Sequence, residues 1–479
     1  MPQIKIELLS QEDIAVLHQA SLDILGKIGV NVQHAGVLER LAQVGAIVEP
    51  NTQRVRFSEP VVAWGLAQAG KQFILRGRDP ARVARFGYGD HNLLASPGQV
   101  FWFDHHTGQR RQPVIEDARR AAHLADALPN ITIAGALSVP SDVPMQIRDV
   151  VLIAEMVRNT GKPCRCWPID RRSSRYVLEI YQALAGGAEA LRQTPMTEFY
   201  LDPVSPLQLP EWGLDIAWEF VEHRQPVTIG SLTMSPGTGP VTLAGSLAQA
   251  NAEILAGVIA MQAIRPGTPV MYGGIPHLLD MRSMACSFGS PEQGLMAVAM
   301  AQMGRHYSLP VYINVNLTDS KTLDVQAGLE KMSSLALGLL AGADLFGHAG
   351  IVGSDHGGSL AWLVVDNEAV EFARRVERGF SLDEAHLALN VIAEVGPGGN
   401  YIDQEHTAKL FRQEYWLPGK LWARDTYDGW EVEGAMSMAQ RAAHQVDHIL
   451  ATHQPPPLDE ALSLEIGRIV QTAQEELVS

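Results

Sequence analysis

The chain has 479 residues, 46% hydrophobic and only 19% charged, enough to bury one large core and to leave surface for self-association into a homo-oligomer. A net charge of −16 excludes the basic stripe with which a nucleic-acid binder grips phosphates. Three cysteines exclude a disulfide framework and fit reduced, structural thiols in a cytoplasmic protein.

The opening stretch, MPQIKIELLSQEDIAVLHQA, carries Glu7, Glu12 and Asp13 where a signal peptide would be apolar. No uncharged apolar run reaches the roughly 20 residues of a membrane-spanning helix, so no membrane partner is expected. Residues 1–75 read as an N-terminal helical extension. Ser10 is placed to cap a helix with Asp13 closing a capping box, and apolar residues follow at helical spacing as far as Gly29. FSEPVVAWGLAQAG repeats the pattern, with Ser58 as cap, Pro60 in the first turn and Gly70 at the end. Between residues 73 and 112, short runs broken by turn dipeptides predict hairpins, and DHHTG (104–108) reads as a solvent-facing turn.

Short apolar runs then alternate with long helical ones. The runs are NITIAGALS, PCRCWPI, TEFYLDPVS, PVTIGSLTMSP, PVMYGGIPH, PVYINVNLTDS and ADLFGHAGIVG, and an eighth is supplied by HNLLAS or QVFWFD. Strands alternating with helices mean a parallel sheet, and eight such units predict an α/β fold, a closed (β/α)8 TIM barrel over residues 76–380. An open doubly wound sheet is the competing architecture, disfavoured because no strand runs into a glycine-rich phosphate turn. Residues 381–479 form a helical C-terminal segment. Its EYWLPGKLWARDTYDGWEVEGA carries Trp416, Trp422 and Trp430, which suit packing onto the barrel or a neighbouring subunit.

Barrel chemistry sits at the C-terminal ends of the strands. That rule selects Ser138 and Asp142, Trp167 and Asp170, Tyr200, Asp202 and Ser205, Thr233 and Met234, Tyr272 and His277, Asn314, Asn316 and Asp319, and Phe346 and His348, with Arg282 and Lys321 just beyond. The set is rich in aromatics, amides and histidines and poor in cations. Zinc would need Cys164 and Cys166 with His277 or Cys286, and no spacing demands it. There is no G-x-S-x-G elbow and no Walker or dinucleotide fingerprint. Either the chemistry is borrowed from a cofactor or partner, or the barrel only binds.

The segments VFWFDHHTGQRR, LADALPNI, VSPL, GTGPVTLAG, NLTDSKTLDVQAGLEK, LVVDNE and LPGKLWARDTYDGWEVEGAMSMAQRAA resemble the trimethylamine methyltransferase family. The resemblance covers nearly the whole chain. It implies a (β/α)8 barrel and a corrinoid (cobalamin) carried by a small partner protein, with no cofactor bound tightly by the chain itself. Archaeal members carry pyrrolysine; this chain has only standard residues, so it resembles the pyrrolysine-free branch, which demethylates glycine betaine and other quaternary amines. The implied reaction moves a methyl group from a quaternary amine to Co(I), and the alternatives are a zinc-activated methyltransferase of the same barrel class and a non-catalytic betaine-binding barrel.

A quaternary ammonium is held by aromatic faces. The implied substrate-binding residues are Tyr200, Tyr272, Phe346, Trp167 and Trp102, with His348 and then His277 as donors to a carboxylate. His348 is the candidate for positioning; no base, nucleophile or metal ligand is assigned. The implied corrinoid-facing rim is Asp355, His356, Asn316, Asp319, Lys321 and Arg282, with Gln326 and Glu330 more distant.

Overall fold

The computed structural model describes residues 4–478. Eight parallel strands form its central sheet: β1 Asn92–Ala95, β2 Ile131–Gly135, β3 Cys164–Arg165, β4 Phe199–Leu201, β5 Val227–Ser231, β6 Val270–Gly274, β7 Val311–Asn314 and β8 Leu345–Ala349. HNLLAS is therefore the first of the eight, whereas QVFWFD lies outside the sheet, its Phe101–Phe103 paired with Gly357–Gly358. The hydrogen-bonded order is β3-β2-β1-β8-β7-β6-β5-β4.

The ladder does not close. β3 and β4 are not hydrogen-bonded to each other, so the expected closed barrel is an open, half-barrel sheet. Both seam strands are short. β3 is two residues long between Pro163 and Pro168, and β4 three residues long between Pro195 and Pro203; proline has no N–H to donate, so each strand has few donors to offer a further neighbour. Side chains cross the gap instead, through an ion pair of 3.0 Å between Arg165 and Glu198.

Helices follow the strands on the outside: α1 Ile115–Ala127, α2 Arg148–Asn159, α3 Arg171–Ala185, α4 Glu211–Glu222, α5 Leu243–Ile264, α6 Pro291–His306, α7 Val325–Leu340 and α8 Leu360–Glu377. Among the described residues, α5 alone is long and apolar enough to cross a membrane, but 94% of its apolar window is buried inside the fold. It is apolar all round because it is covered on both sides. The sheet lies beneath it, and the N-terminal helices Gln11–Asp23, Ala35–Gln43 and Glu59–Gln68 lie on top. Ser10 and Asp13 do form a capping box. The N-terminal helices are accompanied by a small sheet of Val30–Val32, Ile47–Glu49 and Arg54–Arg56, joined by Gln208–Leu209. At the other end, Trp422 stacks on Phe372 of α8 at 5.5 Å and Trp416 meets both rings, while the last helix, Glu460–Leu477, lies on α2 and α3.

The N-terminal end of the sheet is plugged by a hairpin, Phe73–Arg76 with Val83–Phe86, whose Phe73 and Phe86 rings stack at 4.6 Å. Leu94, Ile133, Met271 and Leu345 pack against it from inside the sheet. What remains open is the C-terminal end.

Candidate active site

Alternation along β3 decides the centre of the site. Cys164 and Cys166 turn outward into the helix layer, so Arg165 and Trp167 turn inward. Arg165 is 2% exposed. Its guanidinium lies 4.9 Å from the Tyr200 ring centre, 5.4 Å from Trp167 and 5.9 Å from Tyr312. Those rings meet edge to face, Trp167 with Tyr200 and Tyr200 with Tyr312 each at 5.8 Å. Glu198 stands 3.0 Å from Nη1, yet neither Nη atom finds an aligned acceptor. A buried cation whose donors lack aligned acceptors has hydrogen-bonding capacity left for a second anion, here within a frame of aromatic rings.

Glycines make this frame possible. A Cβ at Gly230 would overlap the Tyr200 ring, and one at Gly347 would lie 2.7 Å from the Tyr312 hydroxyl. Gly230→Ala is expected to displace Tyr200 and cost about 1–3 kcal/mol, the usual range for overpacking. Urea unfolding and the fluorescence of neighbouring Trp167 check it; an unchanged midpoint and spectrum would show that the ring has room the structure denies.

Tyr312 donates its hydroxyl hydrogen to Asn314 Oδ1, so His348 Nε2 supplies the hydrogen that meets the same oxygen at 2.9 Å. Burial, then the charges of Arg165 and His277, hold the His348 imidazole down to about 3. It is neutral at physiological pH and offers a cationic substrate no repulsion. Its folded value lies below the ordinary 6.5, so its contribution to stability is complete above pH 6.5 and is lost as pH falls from there toward about 3. Two mouth carboxyls run the opposite way. Burial raises Asp202 and Asp355 to about 7, so the stability they contribute through holding a proton is lost as pH rises from about 4 to 7. The windows overlap, and the difference between variants is the useful quantity. The stability of wild type minus that of His348→Gln should fall as pH falls from 6.5 to 4; a pH-independent difference would refute the assignment.

The mouth is tied by polar contacts. Gln99 donates its side-chain N–H to Asp355 and to Ser96 Oγ, the latter at 2.9 Å, and Trp167 Nε1 donates to Gly98 O at 3.2 Å. Asp202 Oδ1 and the Tyr200 hydroxyl have no partner. Glu253, fully buried in α5, accepts from the Ser205 hydroxyl at 2.7 Å, the Ser231 hydroxyl at 2.6 Å and Leu207 N at 2.8 Å, which anchors the loops after β4 and β5.

Of the residues expected from sequence, the structure brings Trp167, Tyr200 and His348 together. Tyr272 and Phe346 do not join them: both face the helix layer, where the Tyr272 hydroxyl donates to Asn251 and Phe346 meets His91. Their inward neighbours on the same strands are Met271 and Leu345. Trp102 is buried in the outer core on the Phe101–Phe103 strand. His277 donates from Nδ1 to Ile275 O at 2.6 Å, rests on Phe288 and keeps Nε2 unpartnered; burial lowers it to about 4. Asn316 is fully buried behind the rim and its carbonyl accepts from Lys331 Nζ, so it is not rim-facing. Asp319 knots the rim loops, accepting from the Ser287 hydroxyl, Phe288 N and the Ser354 hydroxyl. Glu330 backs this knot, accepting from the Thr318 hydroxyl, Asp319 N and Gln326. Lys321, His356 and Arg282 are exposed, and the Arg282 side chain at 94% exposure caps a hairpin tip.

The reading of the site as poor in cations is overturned by Arg165. Its signal was available: a long cation between two cysteines of an apolar strand must face opposite to them. Tyr312 was also missed, though it shares a face with Asn314 two residues on. Cys164 and Cys166 on the outer layer are not gathered with His277 or Cys286, and burial pushes the Cys164 and Cys286 thiols up to about 12. A thiolate set for zinc is thus not assembled at this site.

Comparison with known proteins matches residues 2–477 to the family model for trimethylamine methyltransferase (MTTB). A glycine betaine methyltransferase of Desulfitobacterium hafniense (strain Y51) is 33% identical over 99% of this chain and 98% of its own length. The trimethylamine methyltransferase MttB of D. hafniense (strain DSM 10664 / DCB-2) is 29% identical over 98% of this chain and 94% of its own. Among solved structures, Methanosarcina barkeri monomethylamine methyltransferase (MtmB) superposes with a TM-score of 0.51 at 13% identity, over 97% of this chain and 92% of that one. The hydroxylamine complex of MtmB gives 0.52 at 12%, over 98% and 92%. These two likenesses concern the fold alone. The whole-length match and the 33% relative show that the chain belongs to the trimethylamine methyltransferase family, and it is a methyltransferase.

Proposed function

We propose that this methyltransferase takes a methyl group from a carboxylate-bearing quaternary amine of the glycine betaine kind and delivers it to the Co(I) corrinoid of a small partner protein. The observation that carries the reading is Arg165, buried among Trp167, Tyr200 and Tyr312, with Glu198 at 3.0 Å and no aligned hydrogen bond from either Nη atom. A betaine carboxylate pairs with the guanidinium in a bidentate fork. Its ammonium then lies mouthward, beside the free face of Trp167, neutral His348 and the carboxyls of Asp202 and Asp355. Trimethylamine has no carboxylate to offer, and its protonated form would meet Arg165 as a like charge. The relative that is a glycine betaine methyltransferase supports the same choice.

The corrinoid supplies the nucleophile, a Co(I) centre. The interior of this chain fits such a division of labour, because the β3 thiols of Cys164 and Cys166 face the outer layer and Cys286 lies on the rim hairpin Ala285–Ser287, away from Arg165 and its rings. A quaternary ammonium already carries its charge and leaves as a neutral amine, so the chain's residues need only hold the N–CH3 bond in line and exclude water. Exposed apolar side chains along the C-terminal segment, among them Leu382, Leu389, Ile402 and Val432, support a homo-oligomer.

The test is anaerobic absorbance spectroscopy with purified protein, cob(I)alamin and a panel of amines. Methylcobalamin should grow with glycine betaine and not with trimethylamine. Betaine binding without methylation, persisting when the native corrinoid protein is added, would sink the reading and leave a binding protein.

A further inference from the structure

The hairpin of Phe101–Phe103 and Arg110–Arg111 turns through residues 104–109. Asp104 N donates to Gln109 O at 3.0 Å, and the Asp104 carboxylate accepts from His106 N, Thr107 N and the Thr107 hydroxyl. This rigid turn holds out two adjacent histidines. Facing them is Asp447, from the C-terminal helix Met438–Thr452, whose neighbours Val446 and Ile449 are buried. His105 Nε2 lies 3.2 Å from Asp447 Oδ1, and His106 Nε2 lies 2.9 Å from Oδ2. The three ligand atoms lie within 4.8 Å of one another. Among the described residues no other group of three His, Cys, Asp or Glu side chains is so gathered.

We propose that His105, His106 and Asp447 form a binding site for a divalent transition metal, zinc first, that staples the hairpin to the C-terminal helix. The donor set is two imidazole nitrogens and a carboxylate, which zinc takes readily. Metal–ligand bonds of about 2.0–2.1 Å place neighbouring ligands of a tetrahedral ion roughly 3.3 Å apart; each histidine stands at that range from an oxygen of Asp447, and the three ligand atoms together lie within 4.8 Å. An ion pair needs one imidazole; here two converge on separate oxygens of one carboxylate. The His105 side chain is 4% exposed with Nδ1 unpartnered, whereas those of His106 and Asp447 are about half exposed. The site is thus anchored on one side and open on the other, which admits the ion and leaves a coordination position for water. Its consequence reaches the mouth, because the same hairpin pairs with Gly357–Gly358, directly after Asp355 and His356. The inference stands independently of the methyl-transfer reading.

The test uses the full chain without a polyhistidine tag, stripped with chelator and titrated with CoCl2 and then ZnCl2, followed by visible absorption and calorimetry. One equivalent of Co2+ should bind with ligand-field bands, zinc should displace it, and zinc should raise the thermal midpoint. His106→Gln and Asp447→Asn, both at half-exposed positions, should fold as wild type does and bind at least tenfold more weakly. No binding by the wild-type chain, or equal binding by both variants, would overturn the proposal.

Discussion

Arg165→Gln is expected to lower kcat/KM toward glycine betaine roughly a hundred- to ten-thousandfold. Two hydrogen bonds from a guanidinium to a carboxylate, each worth about 1.5–3 kcal/mol, are lost together. The same change should destabilise the fold. Glu198 is 4% exposed and would keep only the Thr228 hydroxyl; stranding one member of a buried ion pair costs about 3–5 kcal/mol. The two effects separate in Arg165→Gln with Glu198→Gln. That pair should recover most of the stability in urea unfolding while leaving kcat/KM low. Activity of the double variant within a few fold of wild type would show that Arg165 braces the gap between β3 and β4 and does not hold substrate.

Lys331→Met should cause the second large loss. Lys331 of α7 and Asp366 of α8 form a pair of 3.0 Å, both buried. Burial pulls the lysine down and pushes the carboxyl up, and each partner opposes that drift in the other. Lys331 Nζ also donates to Asn316 O at 2.9 Å, and Asp366 accepts from Gly350 N at 2.7 Å. The pair therefore joins the segments that follow β7 and β8, two residues from His348. Removing the lysine strands a carboxylate and is expected to cost about 3–5 kcal/mol. Adding Asp366→Leu should return part of it, since an apolar pair of similar volume is often as stable as a buried ion pair. Urea midpoints decide; a Lys331→Met chain as stable as wild type would mean that Asp366 takes up a proton without penalty.

The strands were legible because a buried parallel strand must be a short apolar run, and proline or glycine marks its ends. PVTIGS, PVMYGG and PVYINV needed no tertiary knowledge. Ser10 and Asp13 show the same: a capping box is completed within four residues. The resemblance to the family was legible for a different reason, since its motifs survive as local strings.

What a string of residues does not carry is the face that each side chain takes. Tyr200 and Tyr312 point inward whereas Tyr272 and Phe346 point outward, although all four lie in similar apolar runs. A strand repeats every two residues, so a slip of one exchanges core for pocket, and the neighbouring strands choose the register. Tyr272, for example, is set beside Ile229 and Val311. The open seam between β3 and β4 likewise depends on how two separated segments meet in space. The convergence of His105 and Asp447, 342 residues apart, depends on how a C-terminal helix packs. The sequence by itself determined seven of the eight strands, the helix cap at Ser10 and the family. Only the tertiary structure decided which cation and which rings share the interior, because periodicity is a short-range property and facing is a property of packed neighbours.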